Sequence, residues 1–93
     1  MKDLNECRKI IDEIDSEIIK LFEKRMDVIK EVIQIKISNN IPVLDSSREN
    51  AMLEKNIKKI NNHEYDEYYK EVLNGFLKAS KAMQNDILKN KKS

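Results

Sequence analysis

Four polar residues stand at positions where the helical pattern of the sequence calls for apolar ones: Arg25, Lys36, Ser80 and Gln84. Arg25 and Lys36 are eleven residues apart, or three helical turns plus about 20°, so they share a helix face about 16 Å apart along the axis. Arginine offers a planar fork that matches a carboxylate, and lysine offers a compact positive charge. Ser80 and Gln84 lie one turn apart and add neutral hydrogen-bonding groups. Together these residues predict a pocket for a small molecule with two negative charges.

Each of these residues also has an ordinary structural explanation. Long cationic side chains can extend to solvent, Ser80 can bond back to its own helix, and Gln84 can pair across a helix seam. For Ser80 or Gln84 alone, that explanation is the better one. It fails for Arg25, because burying an unpaired guanidinium costs several kcal/mol and no acidic residue lies on the same stripe within a turn. A bound ligand would supply the missing anion.

Three further polar residues stand together where a second helix is expected to begin: Asp45, Arg48 and Glu49. Ser46 and Glu49 fit a capping box at the start of that helix, and Asp45 is a competing N-cap. Arg48 alone would be a solvated surface residue, as would Arg8 near the start of the chain. These explanations suffice for each residue taken singly, whereas the whole set favours an anion pocket.

The sequence lacks the parts on which most catalytic sites depend. It contains no glycine-rich phosphate loop, no cluster of metal ligands and no Ser-His-Asp or Cys-His set. With one cysteine and one histidine, it can form neither an internal disulfide nor a conventional zinc site. We therefore expect no metal and no cofactor, and an enzyme built on these residues would need chemistry without a nucleophile.

One long helix, predicted from about residue 3 to residue 38, would carry Arg25 and Lys36. Asp3 can cap its first turn, and residues 38–40 favour a turn at its end. Apolar residues along this helix alternate steps of three and four, if Arg25 is counted, and form what we call the seam: Leu4, Cys7, Ile11, Ile14, Ile18, Leu21, Val28, Val32 and Ile35. A second apolar set widens this face, mainly in the second half of the helix: Ile10, Ile19, Phe22, Met26, Ile29, Ile33 and Ile37. We therefore expect the helix to contact more than one neighbour.

Two further helices would complete an all-α chain. Pro42 restricts the residue before it, so helix 1 should end there, with helix 2 at about 45–60 and helix 3 at about 64–89. One Gly, one Pro and abundant Ile, Leu, Lys and Glu favour helices throughout. We expect a single domain, 1–93. Because two shorter helices cannot cover one of about 50 Å, we also expect self-association.

Charge and hydropathy argue against two classes of partner. The net charge of +1 gives no attraction to nucleic acid or to an anionic membrane surface. The sequence has no run of about 18 apolar residues and no secretory signal, so it predicts a soluble, cytoplasmic protein. Cys7 lies on the seam, where we expect a buried and unreactive thiol.

The polar positions also agree, in order and spacing, with the active-site set of one enzyme family. The matching parts are Arg8 in the stretch 7–12, Arg25 with Lys36 eleven residues later, the loop Ile41-Pro42-Val43, Asp45-x-x-Arg48-Glu49, and Ser80-x-x-x-Gln84. No single part is specific, but the ordered set is. On these residues the chain resembles the all-helical (AroQ-class) chorismate mutases over essentially its whole length.

The resemblance implies a fold and a reaction. Three helices per chain would form an intertwined homodimeric helical bundle with two active sites. Each site would convert chorismate to prephenate, a unimolecular Claisen rearrangement in the biosynthesis of phenylalanine and tyrosine. The enzyme would be an isomerase without a cofactor. We expect a stand-alone mutase, because the chain has no room for a fused dehydratase, dehydrogenase or regulatory domain.

The resemblance also implies which residues act on the substrate. Arg25 and the partner's Arg8 would bind the two carboxylates, while Lys36 and Gln84 would address the ether oxygen whose bond breaks. Helix geometry agrees with the unusual place of Arg8, which lies about 42 Å from Lys36 along a straight helix. One small ligand can touch both only if Arg8 comes from another chain.

The remaining members of the set would hold the far end of the substrate. By the resemblance, Glu49 and the backbone at Asp45 bind the ring hydroxyl, and Arg48 and Ser80 complete the polar wall. Lys81 departs from the family, whose members often carry an aliphatic residue there, near the substrate. It could add positive potential to the pocket or point to solvent.

Two other functions stay open from the sequence. Isochorismate-pyruvate lyase shares the fold and much of the cationic pocket, although the loop before its second helix differs. A non-enzymatic helical dimerisation module would also show the seam. Such a module would not explain why Arg25 and Lys36 interrupt apolar positions, with Ser80 and Gln84 opposite them.

Overall fold

Three α-helices account for most of the chain. The computed structural model describes residues 2–92. Its elements, in chain order, are α1 (Leu4–Ser38), α2 (Ser46–Ile57), a 3-10 turn (His63–Tyr65) and α3 (Asp66–Lys92). No strand occurs among the described residues, which confirms the predicted all-α class with one long, one short and one medium helix. Met1 and Ser93, the ends of the expected domain, lie outside the described part. None of the helices described is long and apolar enough to cross a membrane.

A capping aspartate and a left-handed asparagine set the two ends of α1. The carboxylate of Asp3 accepts a hydrogen bond from the amide of Glu6 at 2.8 Å and satisfies a donor of the first turn. Asn40 has a φ of 54°, a conformation that asparagine adopts more readily than most residues. The amide of Ile41 can then donate back to the carbonyl of Lys36, at 2.9 Å. The last turn of α1, which carries Lys36, is therefore held by its own terminus.

The boundaries of α2 and α3 differ from those predicted. α2 ends at Ile57, about three residues early, because the chain tightens into turns in which the amide of Ile60 donates to the carbonyl of Ile57 at 3.1 Å. Asn62 then caps the 3-10 turn, so α3 begins at Asp66, about two residues later than expected. It continues to Lys92, about three residues beyond the predicted end.

α3 lies between α1 and α2 and contacts both. Ile33 of α1 and Leu73 of α3 are almost fully buried, with Ile33 only 1% exposed. Phe22 of α1 stacks on Phe76 of α3, with ring centroids 6.1 Å apart. Both Phe22 and Ile33 belong to the second apolar set rather than to the seam. The widening of the apolar face in the second half of α1 is thus what packs against the rest of the chain.

The seam, by contrast, is mostly uncovered within the chain. Every residue from 2 to 21 is exposed, and Leu4 and Leu21 keep 62% and 63% of their accessible surface. Further seam residues that stay exposed are Ile11, Ile14, Ile18, Val28 and Ile35. Cys7 is exposed as well, so the buried thiol expected from the sequence is not found in the single chain. The structure extends over 56 × 26 × 15 Å, and the first half of α1 stays exposed to solvent along its whole length.

Candidate active site

A cavity of about 310 Å³ lies where the second half of α1, the first part of α2 with the loop before it, and the middle of α3 meet. Its lining contains seven of the eight polar residues predicted from the sequence: Arg25, Lys36, Asp45, Arg48, Glu49, Ser80 and Gln84. Apolar side chains from all three helices complete the wall, among them Val32, Met52 and Leu77. A cavity of this size and mixed lining suits one small organic molecule with a few polar groups.

Arg25 reaches the cavity from α1 and is held by neutral groups. Its Nη1 donates a hydrogen bond to the hydroxyl of Ser80, which in turn donates to the carbonyl of Phe76 at 2.8 Å. The guanidinium also lies over the ring of Phe76, 5.8 Å from its centroid, which orients it through a cation–π contact. Within residues 2–92 no carboxylate forms an ion pair with Arg25. Its charge is oriented but not neutralised, so an anionic ligand can pair with it.

Lys36 and Gln84 form a second oriented pair, one helical turn further along α3. The ammonium of Lys36 donates to the side-chain oxygen of Gln84 at 3.0 Å and to the carbonyl of Val43 at 2.9 Å. The amide nitrogen of Gln84 donates to the carbonyl of Ser80 at 3.3 Å. An ammonium has three hydrogens and a primary amide has two, so each group keeps one donor that the described residues do not use. Since Gln84 is only 4% exposed, this second donor can meet little other than a ligand.

Asp45 fixes the start of α2 and so decides between the two capping patterns in the sequence. Its carboxylate accepts from the backbone amide of Arg48 at 3.0 Å and from the hydroxyl of Ser47 at 2.9 Å. The bond from the Arg48 amide, followed by that from Ser47, holds the pKa of Asp45 below its ordinary value. The side chain is therefore an ionised N-cap, and the alternative capping box through Glu49 does not form. Arg48 is exposed at the rim of the cavity.

Glu49 takes no part in capping α2, and it instead forms an ion pair with a residue of α3 that the spacing of the sequence does not single out. Its Oε1 lies 2.9 Å from the Nζ of Lys81, so the ion pair joins the first turn of α2 to α3. Lys81 lines the cavity and does not extend freely into solvent. The pair spans 32 positions of sequence, and no local pattern relates two such residues. This contact could be predicted only once the packing of α2 beside α3 was known.

Arg8 is the one predicted residue that the structure does not bring to the cavity. It lies in the exposed first half of α1, 28 positions before Lys36 in the same helix, which corresponds to about 42 Å. No side chain spans that distance. The chain by itself therefore assembles a pocket without Arg8.

The charged lining of the cavity is predominantly positive. Four cations face two carboxylates, a formal charge of +2 in a chain whose net charge is +1: Arg25, Lys36, Arg48 and Lys81 against Asp45 and Glu49. Both carboxylates already have partners, whereas Arg25 and Lys36 contact only neutral groups. The cavity thus offers two oriented cations to a dianion. No three of the His, Cys, Asp and Glu side chains in the described part of the chain come together as a metal site.

Comparison with known proteins gives one consistent family. The sequence model of the family described as chorismate mutase type II matches residues 7–85. The chain is 36% identical over 95 residues to a chorismate mutase of Methanocaldococcus jannaschii, covering 96% of both proteins. It is 40% identical over 55 residues to a bifunctional chorismate mutase/prephenate dehydratase of Aquifex aeolicus, covering 59% of this chain but only 15% of that protein. No solved structure matches the chain with significant similarity.

Proposed function

This chain belongs to the chorismate mutase type II family, and we propose that it is an isomerase that converts chorismate to prephenate in the cavity between α1, α2 and α3. One observation carries the proposal beyond the family: Arg25 and Lys36 face the same small cavity, their hydrogen bonds go to neutral groups, and among the described residues neither forms an ion pair with a carboxylate. Chorismate is a small dianion, so it can supply the charge that this pair lacks.

The reaction requires no covalent bond between the protein and the substrate. In the Claisen rearrangement one ether C–O bond of the substrate breaks while a C–C bond forms within the same molecule, and no atom enters or leaves. The protein has to hold the flexible substrate in the compact conformer in which the two carbons meet. It also has to stabilise the negative charge that develops on the departing ether oxygen. Fixed cations and hydrogen-bond donors can do both.

We assign the conformational role to Arg25 and to Arg8 of the partner subunit, each binding one substrate carboxylate. Ser80 and the ring of Phe76 support Arg25 in this role, because they orient the guanidinium before any ligand arrives. Lys36 and Gln84 take the electrostatic role at the ether oxygen. Their hydrogen bond to each other leaves one donor on each nitrogen, and these two donors can converge on a single oxygen.

The ring hydroxyl would be held at the start of α2. Oδ1 of Asp45 is engaged in capping α2, and by the family pattern the backbone at Asp45 would bind the hydroxyl. Glu49 offers a carboxylate oxygen as acceptor, and Arg48 closes the rim of the cavity. These assignments follow the family pattern and are compatible with every hydrogen bond described above.

We further propose that two chains form an intertwined homodimer in which each α1 serves both sites. The exposed seam supports this, because burying such a stripe against a second copy removes a large apolar surface from water. The distance of about 42 Å between Arg8 and Lys36 supports it independently, since only another chain can bring Arg8 to the cavity. We place the enzyme in the cytoplasm, as a single domain over residues 1–93 that supplies prephenate to aromatic amino-acid biosynthesis.

The direct test is to add the purified protein to chorismate and follow the absorbance of chorismate and the appearance of prephenate. We expect turnover with chorismate, and no release of pyruvate and salicylate from isochorismate. Arg25→Ala should abolish most of the turnover and leave the dimer intact, while the exposed neighbour variant Lys24→Ala should behave as wild type. If the wild type leaves chorismate unchanged, the proposed function is wrong.

A further inference from the structure

The ion pair between Lys81 and Glu49 is a charged contact of the cavity to which the proposed mechanism assigns no role. It joins α2 to α3 at 2.9 Å, with side chains that are 34% and 20% exposed. Both residues line the cavity. Half-burial limits the screening of the pair by solvent, so its geometry is better fixed than that of a fully exposed ion pair.

The pair occupies only part of the Glu49 carboxylate. Lys81 binds Oε1, and among the side chains of residues 2–90 no other group bonds to the Glu49 carboxylate, because Asp45 caps α2 in its place. An ionised carboxylate has two oxygens and acts only as an acceptor. Its second oxygen is therefore left for a donor inside the cavity, and a neutral hydroxyl is the ligand group that fits.

Charge gives a second reason why Glu49 needs this partner. An unpaired carboxylate in a cavity for a dianion would repel the ligand, and the repulsion would be stronger there than in bulk water. Lys81 cancels that charge without removing the acceptor oxygen. Because Glu49 balances its charge, Lys81 attracts a substrate carboxylate less strongly than Arg25 and Lys36 do.

The position of Lys81 on α3 fits a general pattern. Three residues of this helix each orient one polar group from another element: Ser80 orients Arg25, Gln84 orients Lys36, and Lys81 orients Glu49. Ser80 and Gln84 lie one above the other facing α1, while Lys81 is turned by about 100° from Ser80, toward α2. One turn of α3 thus arranges the polar groups of both neighbours.

We propose that Lys81 is a positioning residue for substrate binding, holding Glu49 so that its free carboxylate oxygen accepts a hydrogen bond from the ring hydroxyl of the substrate. This role rests on the proposed function, because it assumes a substrate with a hydroxyl in this cavity. The hydroxyl is remote from the breaking ether bond. Its hydrogen bond is made equally in the ground and transition states and contributes to KM rather than to kcat.

Lys81→Met removes the charge and keeps most of the length of the side chain. We expect it to raise KM for chorismate about fivefold with kcat within about twofold of wild type, as for one misplaced hydrogen-bond acceptor. Lys81→Arg keeps the cation and should restore most of the affinity. Lys78→Met is the matched control, because Lys78 is an exposed lysine of the same helix that does not line the cavity, and its loss should have no effect.

An exchange of the two residues separates positioning from stability. Glu49→Lys combined with Lys81→Glu keeps an ion pair between α2 and α3, so the melting temperature should return toward wild type. KM should stay high, because the acceptor has moved to α3 and an ammonium faces the hydroxyl. If the exchange restores KM as well, the pair is only structural and the proposal is wrong.

A double-mutant cycle separates positioning from direct contact with the substrate. In a Glu49→Gln background, Lys81→Met should change KM far less than in wild type, since there is no carboxylate left to position. An undiminished effect would mean that Lys81 binds the substrate itself, and this would overturn the proposal. A wild-type protein without mutase activity overturns the proposed function, whereas an active wild type with Lys81→Met equal to Lys78→Met overturns the role of Lys81 alone.

Discussion

The two halves of α1 carry the same kind of apolar pattern and have opposite surroundings. In the C-terminal half (residues 22–38), a second apolar stripe packs against α3, and Arg25 and Lys36 face the cavity. In the N-terminal half (residues 4–21), every residue is exposed, including the seam and Arg8. One continuous helix is therefore packed against the rest of the chain in one half and exposed in the other. In the proposed dimer, a site that is nearly complete in one chain would still need Arg8 from another.

The largest effect should come from the half that faces the cavity. Lys36→Met removes one of the two donors proposed for the ether oxygen, and we expect kcat to fall about a hundredfold or more. Dimer mass and helix content should not change. Lys30→Met, at an exposed position of the same helix, is the control. A loss of less than about threefold would show that Lys36 is not at the reacting bond.

A smaller effect, with a different signature, should come from the exposed half. Ile14→Asp places a charge in the seam, so we expect a monomer at low protein concentration and about tenfold or greater loss of activity, recovering as concentration rises. Ile33→Ala, in the buried half, should instead lower the free energy of unfolding by about 2–4 kcal/mol at every concentration. Sedimentation and chemical unfolding separate the two results. Ser16→Asp, an exposed position off the seam, is the control for added charge.

If Ile14→Asp remains a dimer with full activity at the lowest concentration that can be assayed, the seam is not the dimer interface. The contrast between the two halves of α1 would then have another cause.

The smallest effect concerns Asp45, the residue that caps the start of α2. Because the pKa of Asp45 is lowered in the folded protein, its contribution to stability is present above its ordinary pKa of 3.8 and is lost as pH falls through the lowered value. Asp45→Asn keeps a good N-cap that does not titrate. The difference in stability between wild type and this variant should thus be constant from neutral pH to about pH 5 and change only in stronger acid. Urea unfolding across that range checks it, and a change that begins near neutrality would contradict the assigned cap.

The faces of α1 on which the polar and apolar residues lie could be predicted from the sequence, because they depend on helical periodicity. The spacing of eleven placed Arg25 and Lys36 on one face, and the wide apolar strip predicted more than one neighbour for α1. The structure adds which stripe packs within the chain: the second apolar set does so in the C-terminal half of α1, and most of the seam does not. Periodicity alone cannot decide this, because two adjacent stripes on one helix look equally apolar.

The features that the sequence left open are those that depend on contacts between helices. Asp45 and Ser46 both begin plausible caps, and the choice became clear only when Glu49 was seen to pair with Lys81. The same ion pair also shows where the side chain of Lys81 lies. The local sequence was compatible with a side chain that points to the cavity and with one that points to solvent. The thiol of Cys7 was expected to be buried, but burial on the seam requires a second chain that a single sequence does not supply.

The central claim is that each active site takes Arg8 from one chain and Arg25 and Lys36 from the other. Two variants, Arg8→Ala and Lys36→Met, test it most directly, because each should be nearly inactive alone. Mixed, unfolded and refolded together, they form heterodimers in which one of the two sites has every wild-type residue, so about a quarter of all sites should work. Recovery of about a quarter of wild-type activity is the predicted result. A mixture no more active than the sum of its two components would contradict the shared site.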